Sequence, residues 1–456
     1  MKKTGLYLGN AEIQMRLPGL RQCLKAEGIQ SGQRVALLGP PSPFYGLLFW
    51  GLWSLGAITC PLNPAFPAIL RQGLSADCDR VISVQPEGLS LERWLDWNAL
   101  AESVSDSSEG LSALPWQTLN PEQPICQILT SGSSGAPKAA LHSWGNYRSS
   151  AEGSAHVFPL GVEDRWLVAL PLFHVGGLAI LVRTALAGAT AVFPEPGQSL
   201  AEALQSLKPT HLSLVPTQLY RLLDQPLAHE SLRACRAILL GGSAIPSALI
   251  QRGVDLGLKL YTSYGSTEMS SQICTTAAGA SFEELQTSGR LLPGRELSFS
   301  PQGELLVRGL TRFLGYWKEG DLEQPFDTEG WFATGDLGEF TSEGWLRVLG
   351  RKDHRFISGG ENIQPEVIER VLLTYEGVYQ ALVVPLADPE FGQRPVAILE
   401  ADPWPERWAL RNFLKQFLPG FMLPDHFLPW PQVAERGLKP NRQNFQAYAQ
   451  KILAQG

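Results

Sequence analysis

At 456 residues the chain exceeds what one hydrophobic core usually serves, so at least two domains are expected. A formal charge of −7 with no run of Lys or Arg excludes nucleic acid as the natural partner class. Six cysteines (Cys23, Cys60, Cys78, Cys126, Cys235, Cys274) without CxxC spacing give neither a zinc site nor a disulfide framework, and read as reduced, mostly buried thiols of a cytoplasmic protein.

Lys2 and Lys3 are not followed by an apolar run, so no signal peptide is expected. A helical pattern over Leu17 to Glu27 leads through a glycine turn into the short apolar run RVALLG (Arg34 to Gly39), typical of a buried parallel strand. Phe44 to Leu62 carries no charge, but Gly46, Gly51 and Gly56 interrupt it. It reads as a core helix followed by a core strand, not as a membrane span. This is a β-α-β alternation. Residues from Pro86 to Pro121 are polar and read as a helix and loop.

The strand-like QPICQILT feeds TSGSSGAPK, Thr130 to Lys138. Small residues (Ser131, Gly132, Ser133, Ser134, Gly135) let backbone N–H groups turn inward, and hydroxyls plus the Lys138 ammonium complete a polyphosphate cradle. The glycine spacing is not that of a Walker A loop. A helix is expected over His142 to Phe158, then a strand from Asp164 opening into a turn at His174, and alternating helices and strands up to AILLGG, which ends at Gly241, Gly242, Ser243 and Ala244. There, tiny side chains allow a flat ring to approach. YGSTEMS (Tyr264 to Ser270) offers an aromatic face for a base, the Thr267 hydroxyl for a phosphate oxygen and the Glu268 carboxylate for a divalent metal. Short strands from Ser288 suggest a small β subdomain. Asp336, in WFATGDLGEF, is expected in a tight turn where its carboxylate accepts a vicinal diol. In GRKDHRFISGGENIQPEVIE (Gly350 to Glu369), Arg351 supplies a fork for ribose or phosphate oxygens, and Pro365 opens a helix. The remainder reads as a small α/β unit with Lys439 in the loop RGLKPNR.

In this order the motifs resemble those of the adenylate-forming superfamily of acyl-CoA synthetases, luciferases and peptide-synthetase adenylation domains, from about Arg34 to the C-terminus. Within it, PKAALHS and ISGGENIQP are most similar to the o-succinylbenzoate-CoA ligases of menaquinone synthesis. The resemblance implies an α/β fold with a large N-terminal domain of stacked sheets and a small β subdomain (1–349), followed by a small mobile α+β domain (350–456) hinged near Asp353. It implies ATP, Mg²⁺ and CoA as cofactor and co-substrates, and a small carboxylic acid as partner. It further implies that the Thr130–Lys138 loop, Gly242 to Ala244, Tyr264, Gly265, Asp336 and Arg351 bind ATP; that Glu268 takes the metal; that Thr267, Lys439 and His174 are catalytic; and that Gly359 and Gly360 meet CoA. His174 would border the acyl pocket with Gln218 and Ser263. A dicarboxylate leaves one charge unreacted, and Arg183, assisted by Ser288, is the candidate counter-charge. Two departures stand out: Ala139 replaces a common glycine, and Leu438 replaces the glycine that usually precedes the catalytic lysine, which keeps Lys415 and Lys451 as alternatives. Another aryl- or acyl-CoA synthetase, an adenylation protein loading a carrier, and a catalytically silent binding protein are the rival readings. Homo-oligomerisation is left open.

Overall fold

The computed structural model describes residues 6–85, 93–106, 111–130, 137–431 and 441–454. The charge-free segment forms the helix Pro43–Ser54, started by Pro43 and by Ser42, whose hydroxyl accepts from the Tyr45 amide at 3.2 Å. Pro43 to Trp53 are all buried, and Leu20 and Leu24 of the helix Asn10–Ala26 pack on Gly51, where a Cβ would meet Leu20 at 2.8 Å. Trp50 and Trp53 stack edge to face, and the Trp53 indole donates to Thr59 Oγ1 at 3.1 Å. Among the described residues no helix is long and apolar enough to cross a membrane.

Two eight-stranded sheets form the large body. The first runs, edge to edge, Asp321–Glu323, Gly315–Lys318, Lys138–Ser143, Pro124–Thr130, Ile58–Pro61, Arg34–Leu38, Arg80–Ser83 and Trp94–Asp96. Its last five strands are parallel, and its first four, counted from the other edge, pair antiparallel. The second has the parallel strands Thr190–Val192, Arg165–Leu167, His211–Leu214, Ala237–Leu240 and Leu260–Ser266, flanked by antiparallel edges that include Ser271–Thr275. A four-stranded antiparallel sheet follows: Arg295–Phe299, Glu304–Gly309, Phe332–Phe340 and Leu346–Arg351. Beyond it, the hairpin Phe356–Ser358/Glu361–Ile363, the long strands Val378–Asp388 and Gly392–Ala401, and the strand His426–Pro429 carry three helices: Pro365–Leu372, Arg407–Leu414 and Arg442–Leu453. This unit has its own core around Ile368, Val383 and Leu410.

Three expectations need correction. His142 begins no helix: it lies in the strand Lys138–Ser143, and the helix starts at Trp144 behind a Ser143 cap. KAALHS shows no polar–apolar alternation because it is an interior strand, paired on both edges, whose residues Ala140 to Ser143 are all buried, whichever face they point to. Asp336 lies inside the strand Phe332–Phe340 and not in a turn, opposite Arg351. The polar stretch before the phosphate loop contributes a strand, Trp94–Asp96, to the first sheet as well as the helix Trp97–Ser103.

Candidate active site

Thr130 and Lys138 are paired neighbours at the ends of two antiparallel strands, so the chain between them leaves and returns at one point. Ser131, Gly132, Ser133, Ser134 and Gly135 lie outside the described residues. Lys138 is exposed at the loop's exit, with its Nζ 5.0 Å from the ring centroid of Tyr316.

The YGSTEMS turn stands beside this point. Leu260–Ser266 runs into a 3₁₀ turn, Thr267–Met269, and returns as Ser271–Thr275. Gly265 faces the carbonyl of Ser271 so closely that a Cβ would sit 2.1 Å from it, which explains the glycine in the motif. Ser270 and Ser271 have φ of +52° and +104°, a costly geometry for side chains with a Cβ. It is held because Ser150 donates to the Ser270 carbonyl at 2.7 Å and Ser270 donates to the Thr311 carbonyl at 3.0 Å. Behind the turn, His142 Nε2 lies 2.7 Å from the Thr267 carbonyl and donates to it. Burial pushes the His142 imidazole down to about 4, so it serves as a neutral donor near neutral pH. Phe313 N–H donates to the Glu268 carbonyl at 2.8 Å, and the Tyr316 hydroxyl donates to Glu268 Oε1 at 2.8 Å. Thr267 and Glu268 are thus fixed by residues from two other strands and from the segment that leads into one of them.

A second corner joins distant motifs. The Tyr264 hydroxyl donates to Asp336 Oδ2 at 2.6 Å, and Arg351 Nη1 reaches Asp336 Oδ1 at 3.4 Å. Arg351 also donates to Asp353 Oδ1 at 3.0 Å and to the Thr334 carbonyl at 2.9 Å. Burial and the Asp336 carboxylate raise the Tyr264 phenol well above its ordinary value, so it stays a donor. The arrangement presents a carboxylate flanked by an aromatic ring and a guanidinium, the donor and acceptor set that a ribose with an attached base requires.

Of the residues expected to border the acid, His174 is exposed and precedes the helix Val175–Ala187, its ring 4.7 Å from Phe173. Gln218 is occupied structurally: its Oε1 accepts from the Val215 amide at 3.0 Å and its Nε2 donates to the Ala169 carbonyl at 3.2 Å. Gly242, Ser243 and Ala244 form an exposed turn after the strand Ala237–Leu240. Ser263 donates to the Cys274 carbonyl at 2.8 Å and accepts from Gln272. Ser288 is held through its amide by the Leu346 carbonyl at 2.7 Å, toward the far end of the Ser271–Thr275 strand, and is not brought to Arg183.

Arg183 itself is buried within a helix whose residues from Gly177 to Ala185 are all buried. Its Nη2 donates to Ser271 Oγ at 3.2 Å, its guanidinium lies 5.5 Å from the Trp166 ring centroid, and its Nε is buried with no acceptor. Among the described residues it has no carboxylate partner. Burial, reinforced by the neighbouring Arg295 charge, pushes its pKa down to about 9, so at neutral pH it remains a cation in the interior. An unpaired buried charge is costly unless something pairs with it. The hydroxyl that Arg183 reaches, Ser271, is one that the sequence alone did not single out.

On the small domain, Gly359 and Gly360 form a two-residue hairpin turn with φ of +58° and +86°, a conformation suited to glycine. Asp353 lies in the 3₁₀ turn Lys352–His354 directly after the strand that carries Arg351. Lys439 is outside the described residues, and Lys415 and Lys451 are exposed on helix ends. Lys352 pairs with Glu304 at 2.7 Å and Tyr220 meets Tyr379 at 5.2 Å, both links between the large body and the segment beyond residue 351.

No cluster of three or more His, Cys, Asp or Glu that could enclose a metal ion exists among the described residues. A magnesium ion held mainly by phosphates and water needs only one or two carboxylates, which Glu268, bonded through one oxygen to Tyr316, can supply.

The family of AMP-binding enzymes matches residues 11–317. The chain is 36% identical to the 2-succinylbenzoate–CoA ligase of Escherichia coli strain K12 over 441 residues, 96% of this chain and 93% of that one. It superposes on an E. coli MenE variant with bound OSB-AMS at a TM-score of 0.83 and 33% identity, covering 97% and 93% of the two chains. It superposes on Bacillus subtilis MenE in complex with ATP and magnesium ion at 0.78 and 28% identity, covering 95% and 92%. With Lys138 linked through Tyr316 to the Tyr264–Glu268 turn, and that turn through Tyr264 to the Asp336–Arg351 pair, this chain belongs to the AMP-binding enzyme family, in the two-domain form shared by those structures.

Proposed function

We propose that the chain is an acid–thiol ligase that joins o-succinylbenzoate to CoA at the expense of ATP, in the service of menaquinone synthesis. One carboxylate oxygen of the acid attacks the α-phosphorus, the bond to the β-phosphate oxygen breaks, and pyrophosphate leaves with that electron pair. The CoA thiol, losing its proton, then attacks the acyl carbonyl and AMP departs. No protein nucleophile is required, because ATP supplies the leaving group.

Lys138 and the loop hydroxyls offset the charge of the departing pyrophosphate, and Thr267, with Lys439 from the C-terminal loop, holds the charge that develops on the α-phosphate. Glu268 would hold magnesium, which when bound would neutralise phosphate charge. Tyr264 and the Gly242–Ala244 turn pack the adenine, while Asp336 and Arg351 take the ribose. His174, Gln218 and Ser263 border the acyl group. Gly359 and Gly360 border the CoA path, and Asp353 is the hinge between 1–349 and 350–456. The protein would act in the cytoplasm, where CoA and ATP are abundant.

The observation that carries the choice of acid is Arg183: an interior cation with an unsatisfied Nε and no carboxylate of its own, behind the turn that bears Thr267 and Glu268. It would accept the carboxylate that is not activated. The full-length similarity to 2-succinylbenzoate–CoA ligases supports the same reading. ATP–pyrophosphate exchange with o-succinylbenzoate, benzoate, 4-hydroxybenzoate, acetate, a medium-chain fatty acid and an amino acid, followed by CoA addition, tests it. Preference for o-succinylbenzoate with CoA-dependent AMP release is expected. Preference for a monocarboxylate would overturn the substrate, and exchange without thioester formation would indicate an adenylation protein.

A further inference from the structure

Glu268 and Lys138 carry opposite charges on adjacent elements, yet they form no ion pair among the described residues. Between them stands Tyr316. Its strand, Gly315–Lys318, pairs with the phosphate-loop strand, Tyr316 opposite Ala140, and the side chain is 9% exposed against Phe313 and Phe332. The hydroxyl donates to Glu268 Oε1 at 2.8 Å, while the ring centroid lies 5.0 Å from Lys138 Nζ. A phenol is suited to this, since its O–H is positive and its ring face negative. One side chain therefore satisfies a carboxylate and a cation at once and keeps them from closing on each other. With one oxygen of Glu268 bonded to the phenol, the carboxylate plane is fixed and the other oxygen is left to a metal. Magnesium tolerates little departure from octahedral geometry, so the direction of that oxygen matters.

We propose that Tyr316 is a positioning residue that holds Glu268 aimed at the metal and Lys138 aimed at the polyphosphate by standing between them. This rests on the metal and phosphate roles given above to Glu268 and Lys138. Without Tyr316 the two side chains would compensate each other, and ATP and its metal would have to separate them before binding.

The test uses the full chain and Mn²⁺ as probe, with free Mn²⁺ read by electron paramagnetic resonance in the presence of ATP and no acid. ATP binding without metal is read by calorimetry in EDTA. Tyr316→Phe keeps the ring and removes the hydroxyl: it should weaken Mn²⁺ binding about tenfold, the usual effect of losing one hydrogen bond to a charged group, and leave metal-free ATP binding within about twofold. Tyr316→Leu should additionally weaken metal-free ATP several-fold, an effect that disappears when Lys138 is already Met. Glu268→Gln serves as the reference. If Glu268→Gln weakens Mn²⁺ binding and Tyr316→Phe does not, the tyrosine is only packing and the inference falls. If Glu268→Gln itself leaves Mn²⁺ binding unchanged, the metal role of Glu268 is wrong, and the inference falls with it. Thermal unfolding of each variant separates these outcomes from loss of fold.

Discussion

The end of the site proposed for the nucleotide and the end proposed for the acid are built by opposite means. At the first, half-buried and buried polar groups are tied to one another across motifs: Tyr264 to Asp336, Asp336 to Arg351, Tyr316 to Glu268, His142 to Thr267. At the second, one cation, Arg183, is sunk among neutral partners and left short of an acceptor. The first design suits a ligand common to many enzymes, because its polar groups already hold hydrogen-bond partners that a ligand can replace. The second suits selection of one acid, since the interior charge favours whatever neutralises it and penalises what does not.

The largest expected difference is between half-reactions at the nucleotide end. Lys439→Ala should slow adenylation by about 100-fold or more, the usual effect of removing a positioned donor. Thioester formation from supplied acyl adenylate should be almost unchanged. Equal loss in both halves, measured by pyrophosphate exchange and by thioester release, would remove Lys439 from the first step.

Next comes the acid end. Arg183→Ala should raise the KM for o-succinylbenzoate by roughly 30-fold or more, the range for truncating one partner of a buried charge pair. The KM for benzoate, which has no second carboxylate, should move little. A parallel rise for both acids would make Arg183 structural and erase the contrast between the two ends.

Smaller is the effect of the hinge. Asp353→Pro should slow thioester formation about tenfold, as if the competent orientation fell to a tenth of the population, and spare adenylation. The two half-reactions slowing alike would contradict it.

The last effect is on stability rather than on rate and belongs to the support behind the Thr267–Glu268 turn. His142 is buried neutral, with its pKa lowered from 6.5 to about 4. Between those values the unfolded chain binds a proton that the folded one refuses, so its contribution is fully present above pH 6.5 and is lost as pH falls toward 4. Its share at pH 4.5 is about 2.5 kcal/mol of lost stability. His142→Gln, which keeps a donor for the Thr267 carbonyl, should lose correspondingly less stability between pH 7.5 and 4.5 in urea unfolding. Identical losses in both proteins would mean that His142 does not titrate as a buried neutral group.

What the sequence disclosed follows the same division. Glycines, hydroxyls and charges in fixed order marked the segments proposed for the nucleotide, because their chemistry is local: Gly265 is needed where the Ser271 carbonyl approaches, six residues away. The alternation of helices and strands was legible for the parallel cores, where apolar runs mark strands. Antiparallel additions were not, because their partners are remote. Gly315–Lys318 has no periodicity of its own, and its value lies in the strand it joins. Arg183 could be named from a missing counter-charge, but Ser271 could not, since only the fold brings the helix Val175–Ala187 against the strand Ser271–Thr275.

The late arrival of Gly315–Lys318 bears on how the chain is made. Lys138–Ser143 is synthesised with one neighbour ready, Pro124–Thr130, while its other partner emerges about 170 residues later. At ordinary synthesis rates that is roughly ten to thirty seconds. Throughout that interval an unpaired strand edge of the first sheet is open to any passing extended chain. Nascent chains stalled before residue 315 would therefore be the aggregation-prone species of this protein, and a holdase acting on the ribosome would improve its yield more than one acting after release.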